Sequence, residues 1–156
     1  MTKTYRTGGL GAMQDEYERA TVDLLSILEM MPDEVYEKIY TNERESINSI
    51  QKMMLHIIGA GYGYANKIRK TIGVDVSTER PKELMSRLDS ISGLKKLLSY
   101  SSDTFEGKWS MSDDELDATK MMSPWKVEYS IEQMMEHAIV HILRHRRQIE
   151  RVMERS

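Results

Sequence analysis

The amino-acid sequence predicts an all-α protein, specifically a four-helix bundle with long crossover connections. Apolar residues recur at three- and four-residue spacing over four long segments, as on the buried face of an amphipathic helix. The nine glycines and three prolines among 156 residues are clustered, so they leave these segments uninterrupted. No segment shows the sustained alternation of polar and apolar residues that is typical of a strand. Four long helices with apolar faces bury those faces most simply in a bundle.

The first half of the chain contains two of the predicted helices. Residues 13–31 form the first, which ends before Pro32. Residues 32–40 form a short connecting turn of helix. The second helix covers residues 43–72, and Gly73 is a plausible stop signal after it.

The second half contains the other two helices and the longest connection. The third helix covers residues 81–105, with Pro81 at its first position. Residues 106–129 hold both tryptophans and lack a sustained period, so they are expected to form a long crossover with one helical turn at DDEL. The fourth helix covers residues 130–153 and opens with a capping box of Ser130 and Gln133.

Composition excludes several classes of protein. A net charge of −3 and a pI of about 5.8 argue against a nucleic-acid partner. Without cysteine there is no thiolate nucleophile and no cysteine-based zinc site, so any metal must be held by nitrogen and oxygen ligands. The thirteen methionines could form a thioether site for Cu(I), although flexible core filler is the favoured interpretation.

We expect a single domain over residues 11–156, preceded by a flexible tail at residues 1–10. The sequence shows neither a signal peptide nor an apolar stretch long enough to span a membrane. A cytoplasmic location without a membrane partner is therefore the expectation.

Histidine is the most informative residue type. Three of the four histidines, His137, His141 and His145, are spaced by four on the predicted fourth helix and so share one face. At ~100° per residue, His145 lies within the apolar arc, His141 at its margin and His137 outside it. Neutral imidazole is the commonest metal ligand, and two unpaired buried imidazoles would be costly. The spacing favours a metal site, and three histidine ligands would leave a coordination position open for water or substrate.

The remaining histidine, His56, stands beside small residues of the predicted second helix, Ala60 and Gly63 among them. This neighbourhood would leave room for a metal and a ligand, although a lone histidine is more often a satisfied core residue. The run GAGYG at residues 59–63 lacks both the spacing and the preceding strand of a dinucleotide loop. Its glycines are interpreted as close helix packing or pocket space.

Several segments together resemble a known family. YSIEQMMEHAIVHILRHRRQI resembles the C-terminal signature of the DinB/YfiT-like superfamily of metalloenzymes, a group distinct from the translesion polymerase of similar name. LLSILEMM, SIQKMMLHIIGAGYGYANKI and the SPW before the last helix fall where that family has similar segments. The resemblance covers residues 10–153, and its most specific element is the set His141, His145 and Gln148.

The resemblance implies a four-helix bundle that forms a homodimer, and a divalent metal ion held by His56, His141 and His145. The metal in such proteins is typically zinc or nickel, and occasionally iron or manganese. His137 is then expected beside the site, as a supporting residue or an alternative ligand. Gln148, an amide, suits the orientation of a ligand or an imidazole.

Three functions remain open at this level. The first is a metal-dependent enzyme, a thiol S-transferase or hydrolase acting on a small molecule such as a low-molecular-weight thiol. The second is a non-catalytic metal-binding protein in which the ion joins the second helix to the fourth. The third is a helical interaction or stress-response module with vestigial histidines.

No catalytic base can be assigned from the sequence. Acidic residues of the first helix (Asp15, Glu16 and Asp23) either face the site or form a solvated stripe, and the stripe is the favoured interpretation. Aromatic residues could line a pocket or simply pack in the core and crossover: Tyr62, Tyr64, Trp109 and Trp125.

Overall fold

The structure, a computed structural model, describes residues 2–77 and 79–155. Within these ranges the chain forms helices and one short hairpin, which confirms the all-α class. The elements are α1 (Gly8–Met30), α2 (Asp33–Glu37), α3 (Ile50–Ile72), α4 (Arg87–Asp103), α5 (Asp113–Ala118), β1 (Lys120–Met122), β2 (Glu128–Ser130) and α6 (Ile131–Met153). A short 3-10 turn, Glu45–Ile47, precedes α3.

The four long helices enclose the core. α1 packs against α4 and α6, and α3 packs against the same two helices. Each therefore buries one apolar face against two neighbours, and side chains with no exposed surface come from all parts of the chain: Leu10, Leu24, Ile57, Leu94, Phe105, Leu116 and Ile149. In the described ranges, no helix combines the length and apolarity needed to cross a lipid bilayer.

The first helix begins earlier than the sequence suggested, at Gly8 instead of residue 13. Arg6 explains the difference, because its backbone N–H donates to Asp15 Oδ2 at 3.0 Å and its guanidinium contacts Asp15 and Glu18. Leu10 is fully buried in the resulting extra turn. Residues 8–10, which we expected in a flexible tail, are therefore helical.

Two other helices begin later than predicted, each directly after a serine that caps its N-terminus. Ser49 accepts a hydrogen bond from the N–H of Lys52, so α3 begins at Ile50 and not at residue 43. Ser86 does the same for α4, which begins at Arg87 and not at residue 81. The first of these corrections matters for the site, because it places Glu43 in a turn outside the helix.

The last helix confirms its predicted capping box, in which Ser130 and Gln133 satisfy each other's backbone N–H groups. The predicted turn at DDEL is the longer helix α5, with a second capping box. The antiparallel hairpin β1–β2 was not predicted, because strands of three residues are too short to show alternation. Since β2 ends at the N-cap of α6, the hairpin turn that carries Trp125 is fixed to the start of that helix.

The glycines of α3 serve different purposes. A Cβ at Gly61 would lie 2.4 Å from Leu97 Cδ2, so this glycine allows α3 and α4 to approach closely. A Cβ at Gly63 would meet nothing within 4 Å. A Cβ at Gly59 would meet the guanidinium of Arg80 at 3.1 Å. Both interpretations of the GAGYG run therefore apply, packing at Gly61 and open space at Gly63.

We predict opposite effects for two identical substitutions in α3. Gly61→Ala should lower the free energy of unfolding by about 1–3 kcal/mol, because the added methyl overpacks the contact with Leu97. Gly63→Ala should raise it by about 0.4–1 kcal/mol, since alanine is the better helix former and the space is free. Chemical denaturation of both variants measures the difference; equal destabilisation would contradict the assigned roles.

Candidate metal centre

Three histidines from two helices converge on one point. His56 lies on α3, and His141 and His145 lie one turn apart on α6. One ring nitrogen from each lies within 4.8 Å of the others. The Nε2 atoms of His56 and His141 are 3.0 Å apart, and the ring centroids of His141 and His145 are 4.5 Å apart. The structure therefore assembles the group of three imidazoles that could hold a metal ion.

The burial of the three differs with their helix. His141 and His145 are each 7% exposed, so both face the interior, whereas the helical projection placed His141 only at the margin. His56 is the most exposed of the three and approaches them from the solvent side. The arrangement thus has a buried wall on α6 and a more open side on α3.

Burial keeps these imidazoles neutral. It lowers the pKa of His141 to about 3, with a further contribution from His145 and His56 beside it. Burial also lowers the pKa of His145, as it does for His56, where the charges of Arg80 and Arg144 add to the effect. Because a metal ion binds the unprotonated nitrogen, all three side chains are in the state a ligand requires at neutral pH.

A chain of hydrogen bonds behind His145 fixes its orientation. The Nδ1–H of His145 donates to Gln148 Oε1 at 2.9 Å, and Gln148 Nε2 donates to Glu43 Oε2 at 2.8 Å. The carboxylate of Glu43 is 8% exposed and is held on its other side by Arg151 at 2.7 Å. Since Glu43 can only accept, Gln148 must turn its carbonyl towards His145, which leaves the Nε2 lone pair of His145 facing the cluster.

This donor set fits a divalent ion. Two imidazole nitrogens bound to one zinc ion at about 2.0–2.1 Å would lie roughly 3.3 Å apart in a tetrahedron. The 3.0 Å between the nitrogens of His56 and His141 is within a few tenths of that separation. Neutral imidazoles suit several transition metals, so the donors alone do not select among zinc, nickel, iron and manganese.

His137 is not in the cluster. Its ring stacks on Trp125 with the centroids 4.9 Å apart, and it makes edge contacts with Tyr64 and Tyr129. It therefore attaches the tip of the hairpin to α6 one turn before the metal-binding group. The interpretation as a supporting residue fits this position better than that of an alternative ligand.

A cavity of about 240 Å³ adjoins the cluster, and His56 is part of its wall. Ala60 and Gly63 leave space on α3, as the sequence suggested, while Tyr64 and Trp125 supply aromatic surface. Its other lining residues are two cations and two apolar side chains: Lys67, Arg80, Pro124 and Met134. No carboxylate of the described residues lines it.

None of the three acidic residues considered on α1 belongs to the histidine cluster or lines the cavity beside it. Glu16 and Asp23 are in the solvated stripe, whereas Asp15 is buried, so the stripe interpretation was wrong for Asp15. Asp15 pairs with Arg6, Glu16 with Arg19 and Asp23 with Arg146, the last two at exposed positions.

Two of the candidate aromatic residues are also elsewhere. Tyr62 lies against Tyr100 of α4, and Trp109 packs on Phe105. Neither of them lines the cavity beside His56, although Tyr62 lines a second cavity. Tyr64 and Trp125 are the candidates that line the cavity beside His56.

Sequence reasoning missed Glu43, Lys67 and Arg80. Glu43 was assigned to a helix, where nothing distinguishes it from other surface carboxylates. Its position in the turn before α3 brings it within hydrogen-bond distance of Gln148. Lys67 follows His56 on the same face of α3 at a distance of three turns, a signal that could have been used. Arg80 comes from the connection after α3, and its position depends on how that segment folds back.

We predict that Gln148→Leu weakens metal affinity by about 10–100-fold, because His145 loses the acceptor that orients its ring. Glu43→Gln should have a much smaller effect, since its amide oxygen can still accept from Gln148. Competition with a chromophoric chelator measures the affinity. Nitrogen chemical shifts of His145 report the tautomer independently of metal, and an unchanged Nδ1–H tautomer in Gln148→Leu would contradict the orienting role.

Of the comparisons with known proteins, one identifies a family. No curated protein matches the chain. The model of the DinB family, however, matches residues 7–155, a span that includes α1 to α6 and all three clustered histidines. The match covers nearly the whole length of the sequence, and the fold is the all-α one expected of that family. The chain belongs to the DinB family.

Proposed function

We propose that this protein is a divalent-metal-dependent enzyme that acts on a small molecule, with a low-molecular-weight thiol as the reacting group. The observation that carries the proposal is the convergence of three neutral histidines beside a cavity that has His56 in its wall. A metal bound only for stability needs no such access, whereas a catalytic metal needs an open position next to a space for substrate.

His56, His141 and His145 would hold the ion, and zinc or nickel is the proposed metal. A divalent ion with three neutral ligands would keep its full charge and favour the ionised form of a thiol or a water. Gln148 and Glu43 would orient His145 through the hydrogen bonds described above. Trp125 and Tyr64 would exclude bulk water from one side of the reacting group.

The cavity favours thiol transfer over hydrolysis. Water has a pKa of about 15.7, so hydrolytic enzymes commonly pair the metal with a base. A thiol ionises near about pH 8.5 and needs much less assistance. The described cavity wall contains Lys67 and Arg80 but no carboxylate, which supports an anionic nucleophile that requires no base.

A non-catalytic metal-binding role is the second candidate. The ligands come from both α3 and α6, so a bound ion would join these helices and stabilise the fold. In that case metal removal would lower the melting temperature and no thiol would react.

Metal content tests the site itself. Protein purified without a histidine tag should hold about one metal ion per chain, and His56→Ala should hold far less, because two ligands remain of three. His137→Ala is the matched control and should retain the ion, since His137 lies against Trp125 and not in the cluster. Elemental analysis gives the result; a full equivalent of metal in His56→Ala would rule out the two-helix site.

Activity is tested with a panel of small thiols and an electrophile, following thiol consumption by chromatography. With an alkyl halide as the electrophile, wild-type protein loaded with metal should form the thioether as halide and the thiol proton are released. His141→Ala should lose more activity than the roughly 10–100-fold expected for a residue that only orients a ligand. If no thiol in the panel reacts while the metal is bound, the transferase proposal fails and the non-catalytic role takes its place.

The homodimer and the cytoplasmic location stay predictions of the sequence and the family resemblance. Sedimentation equilibrium of the full chain measures the first, since a dimer doubles the mass expected for a chain of 18.2 kDa.

A further inference from the structure

We propose that Arg80 and Lys67 form an anion-binding subsite in the cavity beside His56, so that the substrate carries an oxyanion such as a carboxylate. This inference names the substrate class of the proposed site and in that respect rests on the proposed function. Its physical basis, however, is the charge and shape of the cavity, which are independent of any metal.

The two cations lack a counter-charge. Arg80 and Lys67 both line the cavity, and no acidic residue of the described chain lines it with them. Within the described ranges, neither side chain takes part in an ion pair or a hydrogen bond. Two uncompensated positive charges in the wall of one cavity make its potential positive, which favours an anion inside it.

Arg80 is exposed, and its side chain lies against α3 in the wall that also contains His56. Its guanidinium covers Gly59, where a Cβ would lie 3.1 Å from Nε and 3.3 Å from a terminal nitrogen. A larger residue at this position would push the guanidinium away from the helix. The planar group can present its N–H donors to an oxyanion in two parallel hydrogen bonds.

The backbone on both sides of Arg80 is anchored. Before it, Asn66 Nδ2 donates to the carbonyl of Ser77 at 3.0 Å, and the N–H of Ser77 donates to Tyr100 Oη at 2.7 Å. After it, Gln51 Nε2 donates to the carbonyl of Met85 at 3.0 Å. These bonds anchor the chain three residues before Arg80 and five residues after it, which limits the positions available to the Arg80 backbone.

The other residues that line the cavity indicate the chemistry of the ligand beyond its acidic group. Trp125, Pro124 and Met134 give an apolar wall, and stacking on His137 holds Trp125 in place. The volume of about 240 Å³ is below the roughly 300–1,000 Å³ of sites for drug-sized ligands. A small molecule with a compact apolar body and one acidic group matches both the size and the surface.

Benzoate and benzamide test the subsite, because they share a shape and differ in charge. Calorimetric titration into the full-length protein, both metal-loaded and chelator-treated, should show benzoate binding about tenfold or more tightly than benzamide. Arg80→Gln should remove most of this preference, and Lys67→Gln should reduce it. Arg144→Gln is the matched control: it removes an exposed positive charge near the histidines that does not line the cavity, and should change the preference by less than about twofold.

Equal affinity for the two probes, no binding of benzoate, or an unchanged preference in Arg80→Gln would overturn the proposal. Metal analysis of the same samples separates it from the proposed function. Protein that holds metal but shows no charge preference refutes the subsite alone. Protein that takes up no metal in the metal-loading arm but still prefers benzoate refutes the metal-dependent function and leaves the subsite standing.

Discussion

The packing of α3 against α6 is the constraint on which the site depends. His56 and His141 approach to 3.0 Å only across this interface, and neither helix alone could complete the group of three. The i and i+4 spacing on α6 supplies two imidazoles, and the buried surface of the interface keeps them neutral. On another side, α3 packs closely against α4, at Gly61 against Leu97.

The charged side chains nearest this candidate cation site are mostly positive. The histidines are neutral, and Arg80, Lys67 and Arg144 bring positive charge close to them. The one buried carboxylate nearby, Glu43, acts through Gln148 and is paired with Arg151. A divalent ion would therefore enter surroundings that favour an additional anion, and an anionic ligand or an ionised thiol would provide it.

The walls of the cavity come from connections and not from the long helices alone. The hairpin turn brings Trp125 over α6, where His137 holds it, and the connection after α3 brings Arg80 over Gly59. The helices thus provide a rigid platform for the ligands, while the connections determine what can lie beside them. Relatives with the same helices and different connections would accept different molecules.

The sequence by itself determined the all-α class, the capped last helix and the face on which His141 and His145 lie, because these follow from residue spacing and local capping. Ala60 and Gly63 were also recognisable as open space beside His56. Only the tertiary structure decided that His137 binds Trp125, that Glu43 reaches Gln148 and that Arg80 returns to α3. These contacts join residues far apart in the chain through irregular segments, and no local periodicity encodes where such segments fold back.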